Sequence, residues 1–424
     1  MLGIRRVCKG SDRSLTRKLL LVCWATVPMP FCFGQAIPTP QLQVLYESHQ
    51  WFSLRDATEG AKVPLFYRAA AEAAFNQIEP ARKHLNAVIK AAPHSHDAYE
   101  AHELLASLYF RNGMYREAFL QIEAMQAEKT NAEDVKNMRP LFSAFSQSDQ
   151  IVSRRKATSL PMLKEDGNLY LPFTVNGKVA TYAFDTGANF SVMSESEAKR
   201  LGLAVRNVGT RINDSSGGQI GLRVAVANDL ILGGLHLKNV AFGVLPDTQE
   251  PFVDLPEGKR GLLGIPVLIA MQTMRWEPNG TFAFGFVPEH KDISTSNLSF
   301  DQSFPVAQIE LQHKSLEFTI DSGAEKTVLS PPFEKEFPDL IRASGQKESH
   351  KLTGVAGSSS YDSVLLPSVT LQVGGQDVSL APAHVLLKQS SDTSSWAAGN
   401  LGIDLLNQAH VITFDFHAMT LSLH

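Results

Sequence analysis

Two short stretches of this sequence carry an aspartate in the same setting. Ala183-Phe184-Asp185-Thr186-Gly187-Ala188 and Thr319-Ile320-Asp321-Ser322-Gly323-Ala324 each run from strand-forming apolar residues onto a carboxylate. A hydroxyl residue, a glycine and an alanine follow, then an apolar pair, Val192-Met193 or Val328-Leu329, ended by Ser194 or Ser330. One such stretch alone is an ordinary turn, since Asp, Ser, Thr and Gly all favour turns. Two of them permit more. Carboxyl groups held face to face cannot both ionise, so they share one proton and offer an acid and a base in one place. Such a pair can activate a water and protonate a leaving group.

For the aspartates to meet, each needs the same support, and the supports recur as well. Beyond each Asp lies a tip rich in small residues: Asn213-Asp214-Ser215-Ser216-Gly217-Gly218 in one copy, Thr353-Gly354-Val355-Ala356-Gly357 in the other. A strand-like run into a Gly-Gly turn follows, Leu230 to Gly234 and Leu371 to Gly375. Each copy then ends on Gly-x-Leu-Gly-Ile, at Gly261-Leu262-Leu263-Gly264-Ile265 and Gly399-Asn400-Leu401-Gly402-Ile403. The separation from Asp to second Gly, Asp185 to Gly264 in one copy and Asp321 to Gly402 in the other, is nearly the same. Four features in one order at nearly one spacing are an internal duplication. Asn176-Gly177 between apolar runs adds a hairpin signal just before the first Asp.

This pattern resembles the aspartic proteases, in particular the retropepsin-like lobes, here two in one chain over residues 165–424. The resemblance implies that Asp185 and Asp321 form the catalytic dyad of an aspartic endopeptidase. It implies that Thr186 and Ser322 hydrogen-bond across to the opposing loop and that Gly187 and Gly323 let the loops meet. Leu263-Gly264 and Leu401-Gly402 would pass behind the loops and hold them. Ser215, Ser216 and Gly217 with Gly354, Val355 and Ala356 would tip two flaps over the substrate. No cofactor and no metal are implied. The sequence departs from the family at the flaps, where neither tip carries a clear tyrosine; Tyr361 lies past the second. Glu325, following Ala324, adds an acidic neighbour that would raise the dyad's pKa if it points inward. The stretch from Pro246 to Arg260 is expected to shape the cleft.

The rest of the chain reads differently. A basic start (Arg5, Arg6, Lys9, Arg13, Arg17, Lys18), an apolar run from Leu19 to Ala25, and small residues near Ala36 read as a signal peptide over 1–36. The mature protein is then expected to be exported, periplasmic or extracellular, with an uncleaved membrane anchor as the alternative. Without residues 1–36 the chain holds 33 basic and 42 acidic residues, about −9, which argues against nucleic acid or anionic membrane as partner. Cys8, Cys23 and Cys32 all fall in that leader, leaving no thiol for a disulfide, a metal or a nucleophile.

Residues 37–150 are rich in Ala, Leu, Glu and Gln with apolar residues three and four apart, which predicts helical hairpins pivoting near Gln77 to Pro80 and Arg111 to Gly113. Leu105, Ala106, Tyr109 and Ala118, with Ala81, Leu85, Val88 and Pro93, look like tetratricopeptide repeats, which would make this region a site for a protein partner. His84, His94, His96 and His102 lack the spacing of a helix-borne metal site. Residues 151–164, with Ser153-Arg154-Arg155-Lys156, read as a polar linker. The lobes then occupy 165–290 and 304–424, joined by 291–303. The expected whole is a multidomain α+β protein, with helical hairpins first and an all-β two-lobed protease fold after them. A binding protein that keeps the protease scaffold is the alternative. Intact aspartates in both lobes favour the enzyme over that reading.

Overall fold

The computed structural model describes residues 38–60, 62–129, 133–165, 168–213, 219–277, 280–287, 296–354, 357–388 and 395–424. The signal-peptide expectation falls outside these, as do Asp214 to Gly218 of the first flap tip and Val355 and Ala356 of the second. Among the described residues no helix is long and apolar enough to cross a membrane.

Each aspartate sits at the end of a strand whose alternation sets its direction. In Lys178–Phe184 the side chains of Ala180, Tyr182 and Phe184 are buried while the exposed end faces the turn. That strand pairs with Asn168–Val175 through the expected hairpin, with φ of 47° at Asn176 and 77° at Gly177. Positive φ at both central residues is what a two-residue turn matched to strand twist requires. The equivalent hairpin in the second lobe is Phe304–Leu311 with Lys314–Ile320.

The duplication read from sequence is a duplication of topology. Inward from the edge strand Ile151–Arg154, the first lobe's sheet runs Leu235–Lys238, Leu230–Leu232, Asn168–Val175, Lys178–Phe184 and Gly261–Leu263. It continues through Ser191–Ser194, Val240–Leu245, Gln219–Ala227 and Arg206–Asn213. The second lobe repeats this order with Gln376–Leu380, Val369–Val373, Phe304–Leu311, Lys314–Ile320 and Gly399–Leu401. Val328–Leu329, Ala383–Leu386, Gly357–Leu366 and Gln346–Gly354 complete it.

A separate five-stranded sheet joins the lobes. Thr273–Trp276 from the first pairs antiparallel with Ile412–Asp415 from the second. Under it lies an aromatic stack. Phe184, directly before Asp185, packs edge-on against Trp276 at 5.2 Å, and Trp276 stacks on Phe414 at 5.6 Å. Burial of these rings fixes the first aspartate's strand relative to the other lobe.

Residues 151–164 are not a free connector. Ile151–Arg154 pairs with Leu235–Lys238, Thr158–Pro161 extends the five-stranded sheet, and Leu163–Glu165 pairs with Asn168–Val175. Within the basic run, the Arg155 guanidinium donates to Ala270 O at 2.8 Å, so it is tied to the first lobe.

Among the described residues seven helices precede these strands: α1 (Thr39–Glu47), α2 (Trp51–Thr58), α3 (Leu65–Ala74), α4 (Ile78–Ala91), α5 (His96–Arg111), α6 (Tyr115–Glu128) and α7 (Glu133–Phe145). Helices α3 and α4, and α5 and α6, pair as the sequence predicts. The expectation of a helical unit apart from the lobes meets a different arrangement, because the helices are packed into both. Phe190, fully buried in the first lobe, is held edge-on by Phe110 and Phe145 at 6.2 and 5.8 Å. Arg111, also buried, donates to Gln302 O at 2.6 Å, Asn76 Oδ1 at 3.0 Å and Ala73 O, and lies over the Phe300 ring. Burial lowers its pKa to about 9. His49 meets Asp301 at 2.8 Å and stacks on Trp396. The Glu317 carboxyl group, on the second lobe, is buried near the start of α2, and burial pushes its pKa up to about 8.

Candidate active site

Asp185 and Asp321, far apart in the sequence, are brought together, Asp321 lying against Gly187 of the first loop and Asp185 against Gly323 of the second. Both are buried. Each is set by the same local contacts. The Asp185 N–H donates to Leu263 O at 2.9 Å, and the Asp321 N–H to Leu401 O at 2.9 Å. One Oδ1 in each loop accepts from the glycine that follows the hydroxyl residue, Gly187 N at 2.7 Å and Gly323 N at 2.9 Å. Asp321 Oδ1 also accepts from Ala324 N at 3.1 Å.

The two hydroxyl residues lock the loops crosswise. Thr186 Oγ1 donates to Ile320 O at 3.1 Å and accepts from Ser322 N at 2.9 Å. Ser322 Oγ donates to Phe184 O at 3.2 Å and accepts from Thr186 N at 3.0 Å. All four bonds are buried and all four cross between lobes. At roughly 1 kcal/mol each they fix geometry more than they add stability, but leaving any one group unpaired would cost about 1–3 kcal/mol.

The glycines face the opposite carboxyl group. A Cβ built on Gly187 would lie 2.5 Å from Asp321 Cγ, and one on Gly323 would lie 2.6 Å from Asp185 Cγ. No other residue type fits at that separation. Gly264 and Gly402 are bound by a similar limit, since a Cβ there would strike the backbone of Phe190 or of Lys326. Their strands thread the space between the Asp-bearing strand and the next one, parallel to the first and antiparallel to the second. The carbonyls of Ala188 and Ala324 accept from Ile265 N and Ile403 N, closing each loop onto its support.

Burial and the nearby charge of Asp321 push the Asp185 carboxyl up to about 8. Charge in a buried site is disfavoured, and a second like charge more so. The pair therefore keeps a proton through neutral pH. Glu325 is exposed, so the condition under which it would act on the dyad is not met.

The flap expectations divide. Ser215, Ser216, Gly217, Val355 and Ala356 lie outside the described residues. Gly354 ends the strand Gln346–Gly354 and pairs with Gly357. Tyr361 lies on the return strand opposite His350 and is half-buried. The stretch from Pro246 to Arg260 is held by Arg260, which donates to Leu255 O at 2.6 Å and to Ser196 Oγ at 3.1 Å. Helix α7 braces the first flap's base: Arg206 donates to Ala144 O at 3.0 Å and Thr210 Oγ1 to Asn137 O at 3.2 Å. Of the four helical histidines, His84 is paired with Glu72 and His102 with Gln121, while His94 and His96 are exposed.

One cluster escaped the sequence reading. Glu348, His350 and His384 converge on the second lobe with their ligand atoms within 4.8 Å of one another. Glu-Ser-His at alternate positions of a strand was the available signal, since it sets two such side chains on one face. His384, on a later strand, gave none.

Comparison with known proteins finds likenesses over part of the chain. A family model described as aspartyl protease matches residues 171–267, which contain Asp185 and its support but none of the helical region. Similar solved structures include a retropepsin-like aspartic protease from Rickettsia conorii, at 19% identity and TM-score 0.23, covering 31% of this chain and 93% of that one. Another is the retroviral protease-like domain of Ddi1 from Leishmania major, at 21% identity and TM-score 0.16, covering 30% of this chain and 97% of that one. No curated protein matches. The family match supports a resemblance to aspartyl proteases, and so to a peptidase, over residues 171–267.

Proposed function

We propose that the chain is an aspartic endopeptidase in which Asp185 and Asp321, one from each lobe, hydrolyse a peptide bond placed between the flaps. The observation that supports it most is the reciprocal fit of the loops: each glycine backs onto the other lobe's carboxyl group with no room for a methyl. A scaffold kept only for binding has no use for that closeness. In this mechanism a water lies between the carboxyl groups. The ionised one takes its proton as the oxygen attacks the carbonyl carbon, and the protonated one gives its proton to the carbonyl oxygen. The tetrahedral diol then collapses: one diol hydroxyl returns its proton to the ionised carboxylate as the C=O bond re-forms, the C–N bond breaks, and the other carboxyl group gives its proton to the amine. The pair ends with one proton, as it began.

The helical region presents or gates the protein substrate and does no chemistry, and its bonds to the base of the first flap support that division. The enzyme works outside the cytoplasm, as its basic and then apolar start suggests. Digestion of a mixed peptide library by the chain across pH tests the activity, with Asp185→Asn and Asp321→Asn as controls. Cleavage by the parent and by neither folded variant supports the dyad. Cleavage by a variant at more than a few per cent of the parent rate removes it.

A further inference from the structure

Glu348 and His350 lie on the outer strand of the second flap, Gln346–Gly354, and His384 lies on Ala383–Leu386, two strands inward. Register brings them together. Glu348 is opposite Ser363 on the intervening strand, and His384 is opposite Leu365, the next residue on the same face. Ser363 is small and buried, so the longer side chains close over it, and its hydroxyl donates to Glu348 Oε1 at 3.3 Å. Glu348 Oε1 reaches His384 Nδ1 at 2.5 Å, and the imidazole rings of His350 and His384 lie 4.1 Å apart at 32°. All three residues are half-buried, which leaves a way in for a small ion.

We propose that Glu348, His350 and His384 form a binding site for a divalent transition-metal ion of the zinc class, which ties the second flap to the body of its lobe. Two imidazoles and one carboxylate are a donor set that zinc takes with three protein ligands and one open position. Calcium and magnesium prefer oxygen ligands, so the imidazoles select against them. Without the ion, a proton bridges His384 Nδ1 and Glu348. The ion takes the place of that proton, which passes to solvent as the carboxylate and imidazole lone pairs become ligands. The strand carrying His384 pairs in turn with Val328–Leu329, which follows the Asp321 loop. Occupancy therefore links the flap's outer strand to the element that supports the second aspartate. The ion takes no part in the hydrolysis.

The test is a titration of the chelator-stripped full chain with Zn2+ against a chromophoric chelator. We expect one ion per chain. His350→Ala, His384→Ala and Glu348→Gln are each expected to weaken binding by about 100-fold or more, since loss of outer-sphere partners alone costs ~10–100-fold. Hydrogen exchange should slow over Gln346–Leu366 on adding Zn2+ to the parent chain and not in the variants. Should a variant misfold, Co2+ in the parent chain decides, through visible absorption bands of an imidazole-ligated ion that Zn2+ abolishes. Absence of stoichiometric binding, or equal affinity in folded variants, leaves the cluster as a hydrogen-bonded Glu–His pair and overturns the proposal. None of these readouts depends on proteolysis.

Discussion

Gly187→Ala adds a single methyl and tests the dyad more sharply than removal of a carboxyl group. The added Cβ would lie 2.5 Å from Asp321 Cγ and 2.6 and 2.7 Å from its two oxygens. Ordinary contact begins near 3.4 Å, so one group must move by about 0.9 Å. Asp321 is buried and held by Gly323 and Ala324, and the loop carrying Gly187 is bonded across to Ser322. Neither side yields freely. Overpacking of this kind costs about 1–3 kcal/mol of stability, which leaves the chain folded. The effect on rate is larger in proportion, because a misplacement of about 1 Å at reacting groups costs ~100-fold, or about 2.7 kcal/mol of barrier. Gly323→Ala should lose a similar amount, since its Cβ would lie 2.6 Å from Asp185 Cγ. The assay is kcat/KM on a fluorogenic peptide selected from the library, with circular dichroism and a denaturation midpoint as the check on folding. A folded Gly187→Ala chain within tenfold of the parent rate would refute the reasoning, as would a large asymmetry between the two glycines.

The dyad's pH profile should be bell-shaped, with its alkaline limb near pH 8, where the proton held by the buried pair is lost. The same raised pKa makes Asp185 cost stability as pH rises from its ordinary range through about 8, so Asp185→Asn should melt higher than the parent at pH 9 while being inactive. Thr186→Val removes a cross-lobe donor to Ile320 O and strands the buried Ser322 N–H, and should cost about 2–4 kcal/mol of stability in chemical denaturation. In a double-mutant cycle with Ser322→Ala the two losses should be non-additive. Removal of residues 1–159 exposes Phe190 and strips the helix that braces the first flap, so the truncated chain should bind a hydrophobic dye and lose stability rather than behave as an independent protease.

Several features were legible in the sequence because they are local or repeated. Asn176-Gly177 specifies its turn by the φ that only a few residues accept, and the hairpin forms there. The duplicated Asp-Thr/Ser-Gly-Ala and Gly-x-Leu-Gly-Ile pairs, at nearly equal separations in the two copies, implied two equivalent lobes, and equivalent strand orders follow. Helical periodicity gave α3 to α6, since burial of one face at steps of three and four leaves a mark in any sequence.

What tertiary structure alone decided depends on partners distant in the chain. Residues 151–164 look like a linker because their polar side chains carry no periodic pattern, yet their backbone groups complete the edges of two sheets, a use that leaves no trace in residue type. The docking of the helices rests on Arg111, Glu317 and Phe190, whose burial follows from surfaces formed by other elements. A buried arginine looks like any surface arginine until the carbonyls of Ala73 and Gln302 close around it. The closeness of Gly187 to Asp321 and the meeting of His384 with Glu348 likewise exist only once the strands are in register. Sequence determined which residues could do chemistry, because side-chain type and spacing carry that information. The fold decided which of them meet, because a contact between residues far apart is set by packing and has no local signature.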